Sequence, residues 1–189
     1  GFMPDDDATA VQLLREAGAI IMGKAHTHEF ALGVTTPQSR NPWDTSRDPG
    51  GSSGGSAISI STGMSFLSVG TDTRASIRVP ASLCGTLGYK PTYGLVSTDG
   101  IVTLSWSMDH TGLMGRTSED VAIMMNIIQG VDPKDSGTLD VPNDDYTDYL
   151  FKDVTGFRVG LVVEALEGAD PETLQTFHSC VDTYKSLGV

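Results

Sequence analysis

Basic residues are scarce in this chain. Twelve Lys and Arg stand against 24 Asp and Glu, leaving a formal net charge of −12 at pH 7. Such a balance disfavours a phosphate backbone or an anionic lipid surface, so neither a nucleic-acid partner nor a membrane partner is expected. Cysteine is nearly absent. Cys84 and Cys180 form no disulfide framework and no CxxC pair, and free, buried thiols in a reducing compartment, the cytoplasm, are the expectation. No apolar run approaches the roughly 20 residues of a membrane-spanning helix, no signal-peptide pattern opens the chain, and neither an internal repeat nor a low-complexity tract is found. With 189 residues, 39% of them hydrophobic, the chain can still build one domain with a core.

Glycine is the counterweight to these absences. Its 22 residues point to tight turns and close backbone approach, not to disorder, because the apolar fraction is adequate for packing. The glycines bracket a pattern of alternating elements. A helix from Asp7, as its cap, to about Ala17 precedes a short apolar strand, Ala19–Met22. Residues 33–55 are loop. A helix of small residues spans 56–62, a strand 66–71, and a short helix interrupted by Pro80 spans 77–83. Thr117 and Asp120 form a capping-box start for a helix with Val121, Met124, Met125 and Ile128 on one face and Gly130 as its stop. An acidic loop covers 132–153, and a strand is expected over 157–163. Asp170-Pro171 then opens a helix that turns Leu174, Phe177, Val181 and Tyr184 inward. The alternation predicts an α/β fold, with a mixed, mainly parallel central sheet covered by helices on both faces.

Two glycine-flanked elbows dominate this plan. Asp48-Pro-Gly-Gly-Ser-Ser-Gly-Gly-Ser56 presents Ser52, and Thr71-Asp-Thr-Arg-Ala-Ser-Ile-Arg78 presents Ser76, 24 positions later. A glycine-rich loop entering a helix is first a candidate anion site. This one lacks the Gly-Lys-Ser/Thr ending of a P-loop and the Gly-x-Gly-x-x-Gly of a dinucleotide fold, so nucleotide binding is set aside. Nucleophilic catalysis is the second candidate. Serine needs a base and donors for a developing oxyanion. Consecutive N–H groups around Thr73–Ser76 could supply the donors, and Ser52 could relay a proton. The alternative is that both serines merely cap helices and satisfy turns. Among the histidines, His26 and His28 alternate without a carboxylate or cysteine cluster of ligand spacing, so no metal and no other cofactor is expected. His110 is a candidate pocket-lining residue.

Several stretches together resemble the amidase signature family, in order and at its spacing. These are Gly50-Gly-Ser-Ser-Gly-Gly-Ser56, Gly70-Thr-Asp-Thr…Ser76-Ile-Arg78-Val-Pro80-Ala81, Gly88-Tyr-Lys90-Pro-Thr-Tyr-Gly94 and Ser107-Met-Asp109-His110. Gly18–Lys24 and Asn41-Pro42-Trp43-Asp44 are similar to it as well, and the likeness weakens after about residue 135. The resemblance implies a Ser–cis-Ser–Lys triad that hydrolyses amides through an acyl-enzyme. Ser76 corresponds to its nucleophile and Ser52 to its relay, held by a cis peptide bond. The backbone N–H groups of Thr73, Arg74, Ala75 and Ser76 correspond to the oxyanion hole, with Ser53, Thr71, Asp72 and Arg78 in support.

Two features depart from the family pattern. Its catalytic lysine lies upstream of the helix at 7–17 and has no counterpart in these residues; Lys24 sits in an element that does not carry the base. Residues 1–189 are thus expected to be part of a single domain without its N-terminal part. The core signature covers about 18–130, a loop 131–156 and the start of the C-terminal part 157–189, and the chain alone is expected to be inactive. The second departure is Arg74-Ala75, where the family usually carries Gly-Gly; the expectation is that the backbone there tolerates side chains, with Arg74 as a candidate anion-binding group.

The resemblance points first to an amidase, a hydrolase of linear carbon–nitrogen bonds, acting on a small-molecule amide, with a homodimer as a possible assembly. Two alternatives stay open. One is the A subunit of a glutamine-dependent tRNA amidotransferase, to which Val131-Asp-Pro-Lys-Asp-Ser136 is similar, although Asp109-His110 leans the other way. The second is a non-catalytic binding protein on the same fold.

Overall fold

The strand His110–Gly115 (β3) is the centre of the sheet in a computed structural model that describes residues 4–189. Ser68–Asp72 (β1) pairs with one of its edges and Leu87–Tyr89 (β2) with the other, both antiparallel, giving the order β1-β3-β2. The register sets Asp72 against His110 and Ser68 against Met114. Adjacent strand residues face opposite sides of a sheet, and here each side has its own core. Leu113 packs with Ala10, Leu14, Val121, Met125 and Ile128, from the helices Thr9–Glu16 (α1) and Ser118–Ile128 (α4). Met114 packs with Ala57, Ile60, Ile77 and Cys84, from or beside Gly54–Ser61 (α2) and Arg78–Cys84 (α3). Helices therefore cover both faces, as an α/β fold requires, while the two pairings among these described strands are antiparallel.

Local chemistry explains the start of α4. Thr117 accepts from the Asp120 N–H and Asp120 accepts from the Thr117 N–H, a complete capping box for α4. At α1 the outcome differs from expectation. Ala8 is the cap residue and makes no side-chain bond, while Asp7 pairs with Arg15 at 3.0 Å across the first two turns. The loop after α4 is not merely solvated. Asp132 accepts from the hydroxyls of Thr9 and Ser97, each at 2.6 Å, and Asp135 accepts from the Thr98 N–H and hydroxyl.

Two expected strands are not formed. Ala19–Met22 and 157–163 belong to no ladder among the described residues. Apolar residues make a strand only where a neighbour pairs their backbone, and Ile20 and Met22 stand 85% and 78% exposed.

The chain divides after Leu150 into two compact units. The second holds a short 3-10 turn, Val163–Leu166, and the helix Pro171–Ser186 (α5). Asp170 caps α5 by accepting from the N–H groups of Glu172 and Thr173. Leu174, Phe177 and Val181 are half-buried on one face and Tyr184 is exposed. Of the two free thiols, Cys84 is buried, and Cys180, expected to be buried, lies exposed on α5.

Candidate active site

Both serine elbows are fixed by hydrogen bonds that run between them. The Ser53 N–H donates to the Ser76 carbonyl at 3.1 Å, which sets the two loops side by side. The Ser53 hydroxyl donates to the Thr71 carbonyl and accepts from the Thr71 N–H, each at 3.2 Å, and the Ser56 hydroxyl donates to the Val69 carbonyl. The start of α2 is thereby stitched along β1, the strand that leads into the second elbow.

The first elbow is packed too tightly for side chains. A Cβ on Gly51 would lie 2.1 Å from the Thr35 carbonyl oxygen, and one on Gly55 would lie 2.4 Å from that of His26. The same crowding brings backbone partners: the His28 N–H donates to the Ser52 carbonyl and the Gly55 N–H to the His26 carbonyl, both at 2.9 Å. Buried Thr36 spans the loop, donating to the Gly50 carbonyl at 2.8 Å and accepting from the Gly54 N–H at 3.1 Å. The Gly51–Ser52 peptide bond is cis. Thr36 and the 26–28 segment carry no local sequence signal for this role, since their partners lie some 14 to 29 positions away.

In the second elbow, Asp72 is fully buried and bound by Arg78 through two bonds, Nε to Oδ2 at 3.0 Å and Nη2 to Oδ1 at 3.1 Å. The Ile77 N–H adds a third bond to Oδ2 at 3.2 Å. Burial opposes ionisation of this carboxyl, but the Arg78 and Ile77 donors outweigh it and hold the group below the usual carboxylate range. Ser52 and Ser76 are both buried residues, and neither hydroxyl has a hydrogen-bond partner among the described residues. The N–H groups of Thr73, Arg74, Ala75 and Ser76 likewise find no protein acceptor among them. A run of four unspent donors beside a free serine hydroxyl is a geometry suited to stabilising a developing oxyanion.

Arg74-Ala75 resolves into two different cases. Arg74 is exposed and has an ordinary φ, whereas Ala75 sits at φ +154°, in territory L residues rarely visit. The expected backbone tolerance holds at the first position and fails at the second.

The motif residues around β3 gain their contacts from the fold. Asp109 accepts from the Thr73 hydroxyl at 2.6 Å and from the N–H groups of Leu104 and Ser105. His110 lies on β3 between the carbonyls of Met108 and Asp72 on its Nδ1 side and Lys90 Nζ on its Nε2 side. Elsewhere, burial and the nearby Asp48 charge push the Cys84 thiol up to about 11, leaving it an inert core group. A cleft of about 440 Å³ lined by Trp43, Ile60, Thr86 and Arg116 contains neither Ser52 nor Ser76. His26 binds Ser39, and no cluster of three or more metal-ligating side chains is found among the described residues.

Comparison with known proteins places the chain in a family. The Amidase family model matches residues 1–189. The chain belongs to the amidase family. Its relatives include the A subunit of the glutamyl-tRNA(Gln) amidotransferase of Nitratidesulfovibrio vulgaris, 50% identical over 99% of this chain and 40% of that protein. The crystal structure of the protein of the same name from Thermotoga maritima is 49% identical, with a TM-score of 0.71 over 72% of this chain and 31% of its own. The native peptide amidase of Stenotrophomonas maltophilia is 40% identical, with a TM-score of 0.73 over 79% of this chain and 32% of its own. The chain spans about 40% of the length of the curated relatives it matches.

These names correct the expectation about partners. A small-molecule amide without nucleic acid was expected, with a homodimer as a possible assembly; the relatives are named as subunits, and their names carry a tRNA. The misreading has a physical origin. A net charge of −12 sums over the whole chain and reports on a nucleic-acid contact only if that chain itself makes it. Among the described residues, no helix is long and apolar enough to cross a membrane.

Proposed function

We propose that this chain is part of the A subunit of a glutamine-dependent tRNA amidotransferase and that residues 1–189 belong to its amidase-signature domain. The observation that carries this reading is the free Ser76 hydroxyl beside four unspent backbone donors, in a chain half identical to a protein of that name. The Ser76 oxygen adds to the amide carbonyl carbon of glutamine while its proton passes to Ser52 and on to the family's lysine, which has no counterpart among these residues. The oxyanion is met by the N–H groups of Thr73–Ser76. Collapse breaks the C–N bond, the nitrogen takes the proton back, and ammonia leaves. Water then cleaves the acyl-enzyme to free glutamate and restore Ser76. Ser53, Thr71, Asp72 and Arg78 keep the two elbows in register. The two free thiols suit a reducing compartment such as the cytoplasm.

His110 after Asp109 favours a second reading, a stand-alone amidase. Full-length protein, purified with any subunit that accompanies it, distinguishes them. Ammonia release from glutamine that disappears in Ser76→Ala, together with a copurifying subunit, is the expected result. Hydrolysis of other carboxylic amides but not glutamine, by a chain that purifies alone, would return the reading to an amidase. Absence of both would leave a binding protein.

A further inference from the structure

The loop that presents the four N–H groups is anchored at two consecutive residues by two consecutive residues of another segment. Thr73 gives its hydroxyl hydrogen to Asp109 Oδ1 at 2.6 Å, across 36 positions of sequence. The other carboxylate oxygen, Oδ2, accepts from Leu104 N–H at 2.7 Å and Ser105 N–H at 2.9 Å. Asp109 is buried, and no Lys, Arg or His forms an ion pair with it among the described residues. Three short, charge-assisted bonds are therefore its whole compensation, and they leave it little freedom to turn.

The neighbouring pair repeats the clamp on the backbone. His110 Nδ1 lies 2.6 Å from the Met108 carbonyl and 3.1 Å from the Asp72 carbonyl. Carbonyl oxygens only accept, so Nδ1 carries the hydrogen, and Nε2 is left to accept from Lys90 Nζ at 3.1 Å. The β1–β3 register pairs Asp72 with His110. The carbonyl of Asp72 and the side chain of Thr73 are thus both held from one side. That carbonyl belongs to the same peptide unit as the first of the four unspent N–H groups, that of Thr73, and the Thr73 side chain stands next to it.

We propose that Asp109 is a positioning residue: through the Thr73 hydroxyl it fixes the direction of the N–H groups that receive the oxyanion. The hydroxyl of Thr73 is committed to Asp109 and is not a contact for substrate; the backbone N–H of the same residue is. The proposal rests on the amidase reading given above. Because the clamp acts on the transition-state contact and not on the ground-state amide, its loss falls on kcat and spares KM.

Full-length protein with its accompanying subunits tests this on glutamine hydrolysis, with fluorophosphonate labelling of Ser76 followed in parallel. Thr73→Val keeps the shape and removes the hydroxyl. It is expected to lower kcat roughly 10- to 100-fold, less than the loss of an oxyanion donor outright, with KM held within about threefold. Thr73→Ser restores the rate. Asp109→Asn is isosteric but turns a donor toward one of its partners, and it carries the same expectation. Wild-type kcat in Thr73→Val, or an equal loss in Thr73→Val and Thr73→Ser, overturns the clamp while leaving the amidase reading standing. Unfolding of both Thr73→Val and Asp109→Asn makes the contact purely structural and also overturns it. Wild-type protein that neither turns over nor labels would remove the amidase reading itself, and the clamp with it.

Discussion

Two helices of this molecule reverse the usual relation between local signals and packing. α5 has 16 residues, a side-chain cap on two N–H groups and Pro in its first turn, yet it buries none of its residues. α2 has eight residues and no side-chain cap, yet buries Gly54, Ser56, Ala57 and Ile60. Short uncapped helices are marginal by themselves, so α2 exists because tertiary contacts hold it: Thr36 at its start, the Ser53 and Ser56 hydroxyls along β1, and Ile60 in the core. Local chemistry is enough to form a helix, but Ser52 and Ser76 are placed by contacts from distant parts of the chain.

That contrast can be broken or sharpened by substitution in the full-length protein. The largest effect is catalytic. Ser76→Ala should lower turnover by about 10³-fold or more, as expected for loss of a nucleophile, without lowering the melting temperature. Ser179→Ala on α5 should change neither, and a comparable loss there would erase the distinction between the two regions. Next comes the core. Ile60→Ala removes a fully buried side chain and should cost about 2–5 kcal/mol in chemical denaturation, against less than about 1 kcal/mol for Leu174→Ala. Equal costs would mean that the α5 face is as well packed as that of α2.

A smaller effect separates the elbow by pH. The folded-state pKa of Asp72 lies below its ordinary value, so its contribution to stability is present above the unfolded carboxylate pKa of about 3.9. It is lost as pH falls through the lower folded value. Arg78→Ala should cost about 1–2 kcal/mol at pH 7, a range reduced because Arg78 is half exposed and screened. The difference from wild type should shrink below about pH 4; a difference that stays constant through that range would show that Arg78 acts by packing alone. The smallest effect is at Ala75. With φ at +154°, Ala75→Gly should gain about 1 kcal/mol, whereas a loss would show that the alanine methyl is itself packed.

The sequence made the site legible in one respect and opaque in another. The capping box at Thr117 corresponds to structure because its geometry is decided within a few residues, whereas the two serine elbows announce themselves in sequence but are held by partners far along the chain. Thr36 and the 26–28 segment gain their roles only when the fold carries them to partners far along the chain, and nothing in their neighbourhood announces it; Asp109 stands in a recognisable motif, but its bond to Thr73 across 36 positions is not visible there. Ala19–Met22 and 157–163 mislead for the same reason in reverse: an apolar run states a preference for burial, and a ladder needs a partner that the run cannot specify. The net charge failed differently, by averaging over residues whose positions decide what they can meet.

The proposed amide hydrolysis rests on Ser76 being its free, activated hydroxyl. Treating the full-length protein with a fluorophosphonate and mapping the adduct by peptide mass spectrometry tests that most directly. A single adduct on Ser76, lost in Ser76→Ala and slowed in Ser52→Ala, is the predicted result. An adduct on another serine, or none on a folded protein, would contradict it.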